Sequence, residues 1–247
     1  MAGRAAVTLD PRALRRRIVE AAYQSGEPAH IPSALSVVDI LAALYGGVMG
    51  PDDVFVLSKG HAALALYAVL EAGGVIPAGT MHTLPGHPCH LTPGVSFGAG
   101  SLGHGLGAAA GLALGKRLAG QAGRVYVLVG DQELDEGSCW EAIAQAVRLE
   151  IDALTIIVDA NGSGANALSA VQIADRFAYF GCQIGMMDGH GLGIGQIIAL
   201  PSYGQPCAIV ARTVKGHGVA RMEADPAAWH RRKMTETEYH EICRELA

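Results

Sequence analysis

Apolar positions along this chain follow two rhythms, and the rhythm changes where elements change. From Pro11 to Tyr23 the residues Leu14, Ile18, Val19, Ala22 and Tyr23 recur on one face at helical spacing, which predicts an amphipathic helix. Ser36 reads as the N-cap of a second helix, "VVDILAALYGGV", that stops at a glycine pair. "VFVLSKGH" predicts a short strand or turn leading into the helix "AALALYAVLEAGG". A long Gly- and Pro-bearing loop from Met81 to Gly100 comes next, and then "GLGAAAGLALGKRLAG", a helix so rich in small residues that a neighbour must pack closely on it. "RVYVLVGD", "LTIIVDAN" and "CAIVARTV" are continuous apolar runs and predict strands. Strands alternating with helices predict an α/β fold with a parallel sheet and helices on both faces. No internal repeat or linker divides the chain, so residues 1–247 are expected to form a single domain.

Two of these strands each end on an oxygen-bearing side chain, Asp131 and Asn161, thirty residues apart. Parallel strands joined by one crossover helix finish at the same sheet edge, the edge at which open α/β sheets bind ligands. Taken singly, an Asp or Asn there reads equally well as a cap or turn residue. As a pair on one edge they also suit a hard divalent cation such as Mg²⁺ or Ca²⁺, which takes oxygen ligands and shares them with substrate phosphates.

Composition narrows the partners. Charged residues make up 17% of the 247, half are hydrophobic, and the formal net charge is −5. That describes a folded chain with no global footprint for nucleic acid or anionic membrane, so an anionic ligand must be held locally. The five cysteines (89, 139, 182, 207 and 243) form no CxxC pair and read as buried thiols of a reducing compartment. The N-terminal stretch lacks the apolar core of a signal peptide, and no apolar run reaches the ~20 residues of a membrane span. A cytoplasmic protein is expected.

Two motifs point elsewhere and do not survive inspection. "GHGLGA" fits a dinucleotide-binding GxGxxA, yet no apolar strand precedes it and no acid stands about 20 residues beyond. His82, His87, Cys89 and His90 in "HTLPGHPCH" match no closed structural zinc spacing.

The stretch "GDQELDEGSCWEA…IIVDANG" resembles the thiamine-diphosphate fingerprint, and most closely the transketolase family. "HIPSALSVVDILAALY", "FVLSKGHAALALYAVL", "LPGHP", "GAGSLGHGLGAAAGLALGKRL", "DGH", "ARTVKGHGV" and "WH" extend the likeness in order from about Leu14 to Tyr239. Three positions depart from the family's wording: Gln132 replaces its second Gly, His104 its Gln, and Arg231 the small residue after the last His.

The resemblance implies Asp131, Asn161 and the carbonyl of Ser163 as ligands of Mg²⁺ (or Ca²⁺). It implies contacts from His61, His230 and Lys215 to the diphosphate, with Gly100, Leu102, Gly130 and Gln132 also at the cofactor. It gives His30 and His87 to the hydroxyls of a ketose donor, and Glu136 to a proton-handling network at a subunit interface. The catalytic set it implies is thus His30, His87, Glu136 and His230.

The family's buried acid for the aminopyrimidine, and the pocket for that ring, lie in a following domain. The resemblance therefore implies the N-terminal subunit of a split transketolase, moving a two-carbon ketol unit from a sugar or sugar-phosphate donor to an aldehyde. Its partner would be a C-terminal subunit carrying the pyrimidine-binding domain, in a heterotetramer. Another thiamine-dependent subunit, of the deoxyxylulose-phosphate synthase or 2-oxoacid dehydrogenase kind, and a non-catalytic scaffold remain as alternatives.

Overall fold

The computed structural model describes residues 8–164 and 167–247. The first seven residues, part of the stretch read above against a leader peptide, lie outside that description. Helix α1 (Pro11–Ser25) starts where Asp10 accepts the Arg12 N–H at 2.9 Å and Pro11 occupies the first turn, and it stops at Gly26, whose φ is +64°. Short helices α2 (Ile31–Leu35) and α3 (Val38–Ala43) follow, then β1 (Val54–Leu57), α4 (Ala63–Ala72) and α5 (His104–Leu118). The remaining elements are β2 (Val125–Gly130), α6 (Gly137–Arg148), β3 (Leu154–Ala160), α7 (Ala170–Tyr179), β4 (Gln183–Asp188), α8 (Ile194–Ile198), β5 (Cys207–Arg212), α9 (Ala220–Ala224) and α10 (Glu236–Glu245). Among the described residues no helix is long and apolar enough to cross a membrane.

All five strands are parallel, in the order β1-β2-β3-β5-β4. Strand alternation divides the core in two. Val125, Val127 and Val129 of β2, with Leu154, Ile156 and Val158 of β3, pack under α5, α6 and α7. Tyr126, Leu128 and Ile157 point the other way, into a cluster closed by α1, α3, α4 and α10. Helices on both faces are what continuous apolar strands require, since neither face of such a strand tolerates water.

Two predicted details are corrected. Ser36 does not cap a helix: α3 begins at Val38 after Val37, and the Ser36 hydroxyl donates instead to Asp159 at 2.9 Å. The helix predicted through the glycine pair is regular only to Ala43 and opens into a wider turn over Leu44–Val48. Strand β4 carried no predicted strand. It is an edge strand with Ile184 and Met186 partly exposed, and Gly185 interrupts its apolar run.

At the C-terminal edge of the sheet lies a buried ion pair, Lys59 with Asp159, whose side chains are 1% and 0% exposed. Lys59 follows β1 and also donates to the Ser33 carbonyl at 3.1 Å. Asp159 in β3 accepts from Ser36 and from Asn161 Nδ2, both at 2.9 Å, and from the hydroxyl of Thr213 beyond β5. Burial raises the Asp159 carboxyl, but Lys59 and these donors outweigh it and hold the group below the usual carboxylate range. Removing one partner strands a buried charge, so Lys59→Met and Asp159→Leu should each destabilise the chain by about 3–5 kcal/mol in urea unfolding. The double variant should lose clearly less than the sum, because it leaves no unpaired charge.

Candidate functional site

Four of the five strands deliver side chains to this edge. Lys59 and His61 follow β1, Asp131 follows β2, Asn161 and Ser163 follow β3, and Lys215 follows β5. Gly130 and Asp159 pair in register, and Asp131 N–H donates to the Asp159 carbonyl at 3.2 Å, which sets Asp131 beside the end of β3. Gly162 turns the chain there with φ +65° and donates to Asp131 Oδ2 at 2.7 Å. Because Asn161 gives its amide N–H to buried Asp159, its Oδ1 is the atom left for the site, where it accepts the Ser163 N–H at 3.2 Å.

These residues line a cavity of about 320 Å³. The loop that carries Gly100 and Leu102 reaches it because Gly60 passes against Ala99: a Cβ on Gly60 would lie 2.6 Å from the Ala99 carbonyl. Glu133, 1% exposed, ties this loop to the sheet by accepting from Gly103 N at 2.9 Å, Gly130 N at 3.1 Å and the Ser58 hydroxyl at 2.5 Å. His30, at the start of α2, and His230 enter from the other side. The His30 ring centroid stands 5.4 Å from that of His61 and 4.8 Å from that of His230.

The electrostatics are those of a site prepared for opposite charges. Burial, helped by Lys59 and neighbouring rings, lowers His61 to about 3, and burial with His230 lowers His30 to about 4. His230 is lowered too, again mainly by burial. All three are neutral imidazoles at pH 7 and so can donate or accept. Lys215 donates to Ser163 Oγ at 3.2 Å, while burial and then Lys59 lower its pKa. Burial raises Asp131, with Asp159 adding to the effect. A cation beside Asp131 and an anion beside Lys215 would each relieve the local cost.

Sequence reasoning named thirteen site residues, and eleven line this cavity: His30, His61, Gly100, Leu102, Gly130, Asp131, Gln132, Asn161, Ser163, Lys215 and His230. His87 lies in an adjoining chamber, with its ring centroid 6.5 Å from that of His30. Glu136 is outside both, exposed at the N-cap of α6 beside Gly103. The backbone N–H of Gln132 is taken by Asp131 Oδ1 at 2.9 Å, and its side chain lies over Gly164. Lys59, Asp159, Glu133 and Ser33 were missed. The available signal was an acid on the inward-alternating face of a buried strand, which must have a cation, and "SKGH" offered one.

Among the described residues, one other group, Asp39, His190 and His217, comes close enough to share a metal ion. Its atoms are already engaged. Arg15 pairs with Asp39, His190 Nε2 accepts the Val214 N–H at 2.9 Å, and the His190 Nδ1–H therefore donates to Asp39 at 2.7 Å.

A parallel sheet whose strand ends gather a carboxylate, an amide oxygen, a lysine and neutral histidines defines the class of thiamine-diphosphate-binding transferases. The family described as "Transketolase, thiamine diphosphate binding domain" matches residues 12–246, and the chain belongs to it. An apulose-4-phosphate transketolase subunit of Actinobacillus succinogenes is 35% identical over 89% of this chain and 88% of its own. Human transketolase is 36% identical over 94% of this chain and 41% of its own. The crystal structure of transketolase from Campylobacter jejuni superposes with a TM-score of 0.84 at 23% identity, over 96% of this chain and 42% of that one, a likeness of fold.

The depressed histidines make stability pH-dependent. Unfolded histidine titrates near 6.5 and these two near 3 and 4, so below pH 6.5 the unfolded chain binds more protons. Their contribution is complete above pH 6.5 and is lost as pH falls toward 4 and 3. The Tm should drop over that range, and His61→Asn should flatten the drop, as read by scanning calorimetry.

Proposed function

We propose that this chain is the N-terminal subunit of a two-chain transketolase, a cytoplasmic transferase whose described fold acts as a single diphosphate-binding domain. The observation that carries this reading is the convergence of Asp131, Asn161, Lys215, His30, His61 and His230 on one cavity at the carboxyl ends of the strands. The donor set fits the cofactor. Oxygen donors suit Mg²⁺ (or Ca²⁺), N–H donors suit phosphate oxygens, and the buried Nδ1 of His30 has no hydrogen-bond partner.

Asp131, Asn161 Oδ1 and the Ser163 carbonyl would hold the metal, with Lys215, His61 and His230 on the diphosphate and Gly100, Leu102, Gly130 and Gln132 around it. When bound, thiamine diphosphate supplies the electron sink that lets a two-carbon ketol unit leave one sugar and join another. His30 and His87 hold the sugar hydroxyls; the neutral ring of His30 can donate a hydrogen bond through one nitrogen and accept one through the other. His230, at 3.4 Å from Lys215 through Nδ1, keeps the lysine directed at the cavity.

Two features support a partner. Among the described residues lining the cavity there is no Phe, Tyr or Trp on which a pyrimidine could stack. On α5, Gly105 is small for an internal reason, since its Cβ would meet Ser58 at 2.5 Å. Gly111 and Gly115 face outward into open space, and Gly107, also exposed, would meet only Ala142 at 3.9 Å. Each glycine costs a helix roughly 0.5–1 kcal/mol, which the chain alone does not explain. A C-terminal subunit with the pyrimidine-binding domain, packed close on this stripe and on Glu136, would explain it and would complete a heterotetramer.

The test is ketol transfer by the complex with thiamine diphosphate and Mg²⁺, over a panel of ketoses that includes apulose 4-phosphate, the sugar in the relative's name. Turnover of pyruvate instead, or of nothing, rejects the reading. Asp131→Ala and Asn161→Ala should abolish Mg²⁺-dependent cofactor binding in calorimetric titration of the complex while circular dichroism stays unchanged. Gly111→Leu should leave the single chain folded, yet prevent assembly as measured by light scattering.

A further inference from the structure

A second chamber of about 510 Å³ opens beside the diphosphate cavity and shares His30 and His61 with it. Its walls come from the segment between α1 and α2, the turn from Met81 to His87, and the segment after Trp229. Two arginines occupy that last segment, and they differ in what they do. Arg232 is held within the chain: its guanidinium pairs with Glu238 and lies 3.8 Å over the Trp229 ring, and its carbonyl accepts the Ala29 N–H at 3.2 Å. The backbone bridge between Ala29 and Arg232 holds this segment against the start of α2, which sets Arg231 beside His30. Arg231 lines the chamber, is exposed, and among the described residues makes no salt bridge or side-chain hydrogen bond. Glu27 is the one carboxylate among the described lining residues, and it does not pair with Arg231. Here stands an uncompensated guanidinium where the family resemblance gives a small residue.

Elsewhere the chamber sets histidines among apolar side chains such as Leu64 and Met81. His30, His82 and His87 line it, and the Nδ1 atoms of His30 and His82 are buried without a hydrogen-bond partner. Buried polar atoms seldom stay unpaired. A neutral imidazole has one donor and one acceptor nitrogen, as a sugar hydroxyl has both functions. A guanidinium forks onto two oxygens of a phosphate.

We propose that this chamber takes an open-chain polyol phosphate, its hydroxyls on His30, His82 and His87 and its phosphate on Arg231, so that Arg231 is a specificity-determining residue supplied by this chain. Reading the ligand as a substrate rests on the ketol-transfer function proposed above; the binding itself does not.

D-arabinitol 5-phosphate separates the two, because it has no carbonyl and cannot turn over. Its affinity for the purified chain is compared with that of D-arabinitol by ligand-observed NMR, with Mg²⁺ and pyrophosphate saturating the neighbouring cavity. Wild type should prefer the phosphate. Arg231→Gln should weaken phosphate binding by about 10- to 100-fold, the range of a hydrogen bond to a charged group. Arabinitol affinity and Tm should stay unchanged, and Arg231→Lys should fall between. A wild type with no phosphate preference, or an Arg231→Gln variant that keeps the preference or loses both ligands equally, overturns the proposal. Absent ketol transfer with phosphate preference intact rejects only the transferase reading.

Discussion

The structure hangs on a salt bridge that no water reaches. Lys59 and Asp159 close the sheet between the ends of β1 and β3. Buried charges are tolerated only when every lone pair and proton is engaged. Here Ser33, Ser36, Thr213 and Asn161 complete the engagement, and those four residues come from three separate segments of the chain. The pair thus sets where α2 and α3 sit, where the chain leaves β5, and which way the Asn161 amide faces. Replacing it by hydrocarbon would take away the acceptor that holds the Asn161 amide N–H away from the cavity.

Around that neutralised centre the cavity keeps its own charges unbalanced. Asp131 is partly desolvated and beside a second carboxylate, Lys215 is beside a second ammonium, and three imidazoles are held neutral by burial. The two charged groups each cost stability in the free chain. Together they suit the diphosphate of the family's cofactor and, under the function proposed above, a divalent cation beside it. The cost is offset where rigid strand ends, and not loops alone, carry the groups.

Helix α5 shows the same division between internal and external demands. Its inward side is small because β1 and the Ser58 turn press against it, while the outward Gly111 and Gly115 meet nothing among the described residues. Two identical residue choices on one helix therefore have different causes, and composition alone cannot separate them.

The sequence by itself determined the alternation of strands and helices, the parallel sheet, and the placement of Asp131 and Asn161 at one edge, because strand periodicity and crossover handedness are local rules with few solutions. It also carried the ordered motif words that brought the cofactor family into view. It did not reveal β4, whose glycine and half-exposed face erase the pattern of a buried strand, nor the fate of Ser36, whose hydroxyl chose a distant carboxylate over the nearby helix. Lys59, Asp159 and Glu133 read as an ordinary lysine and two acids until the fold buried them. Their partners lie up to 123 residues away in sequence, and only the tertiary structure, by removing water from around them, decided which charges must meet.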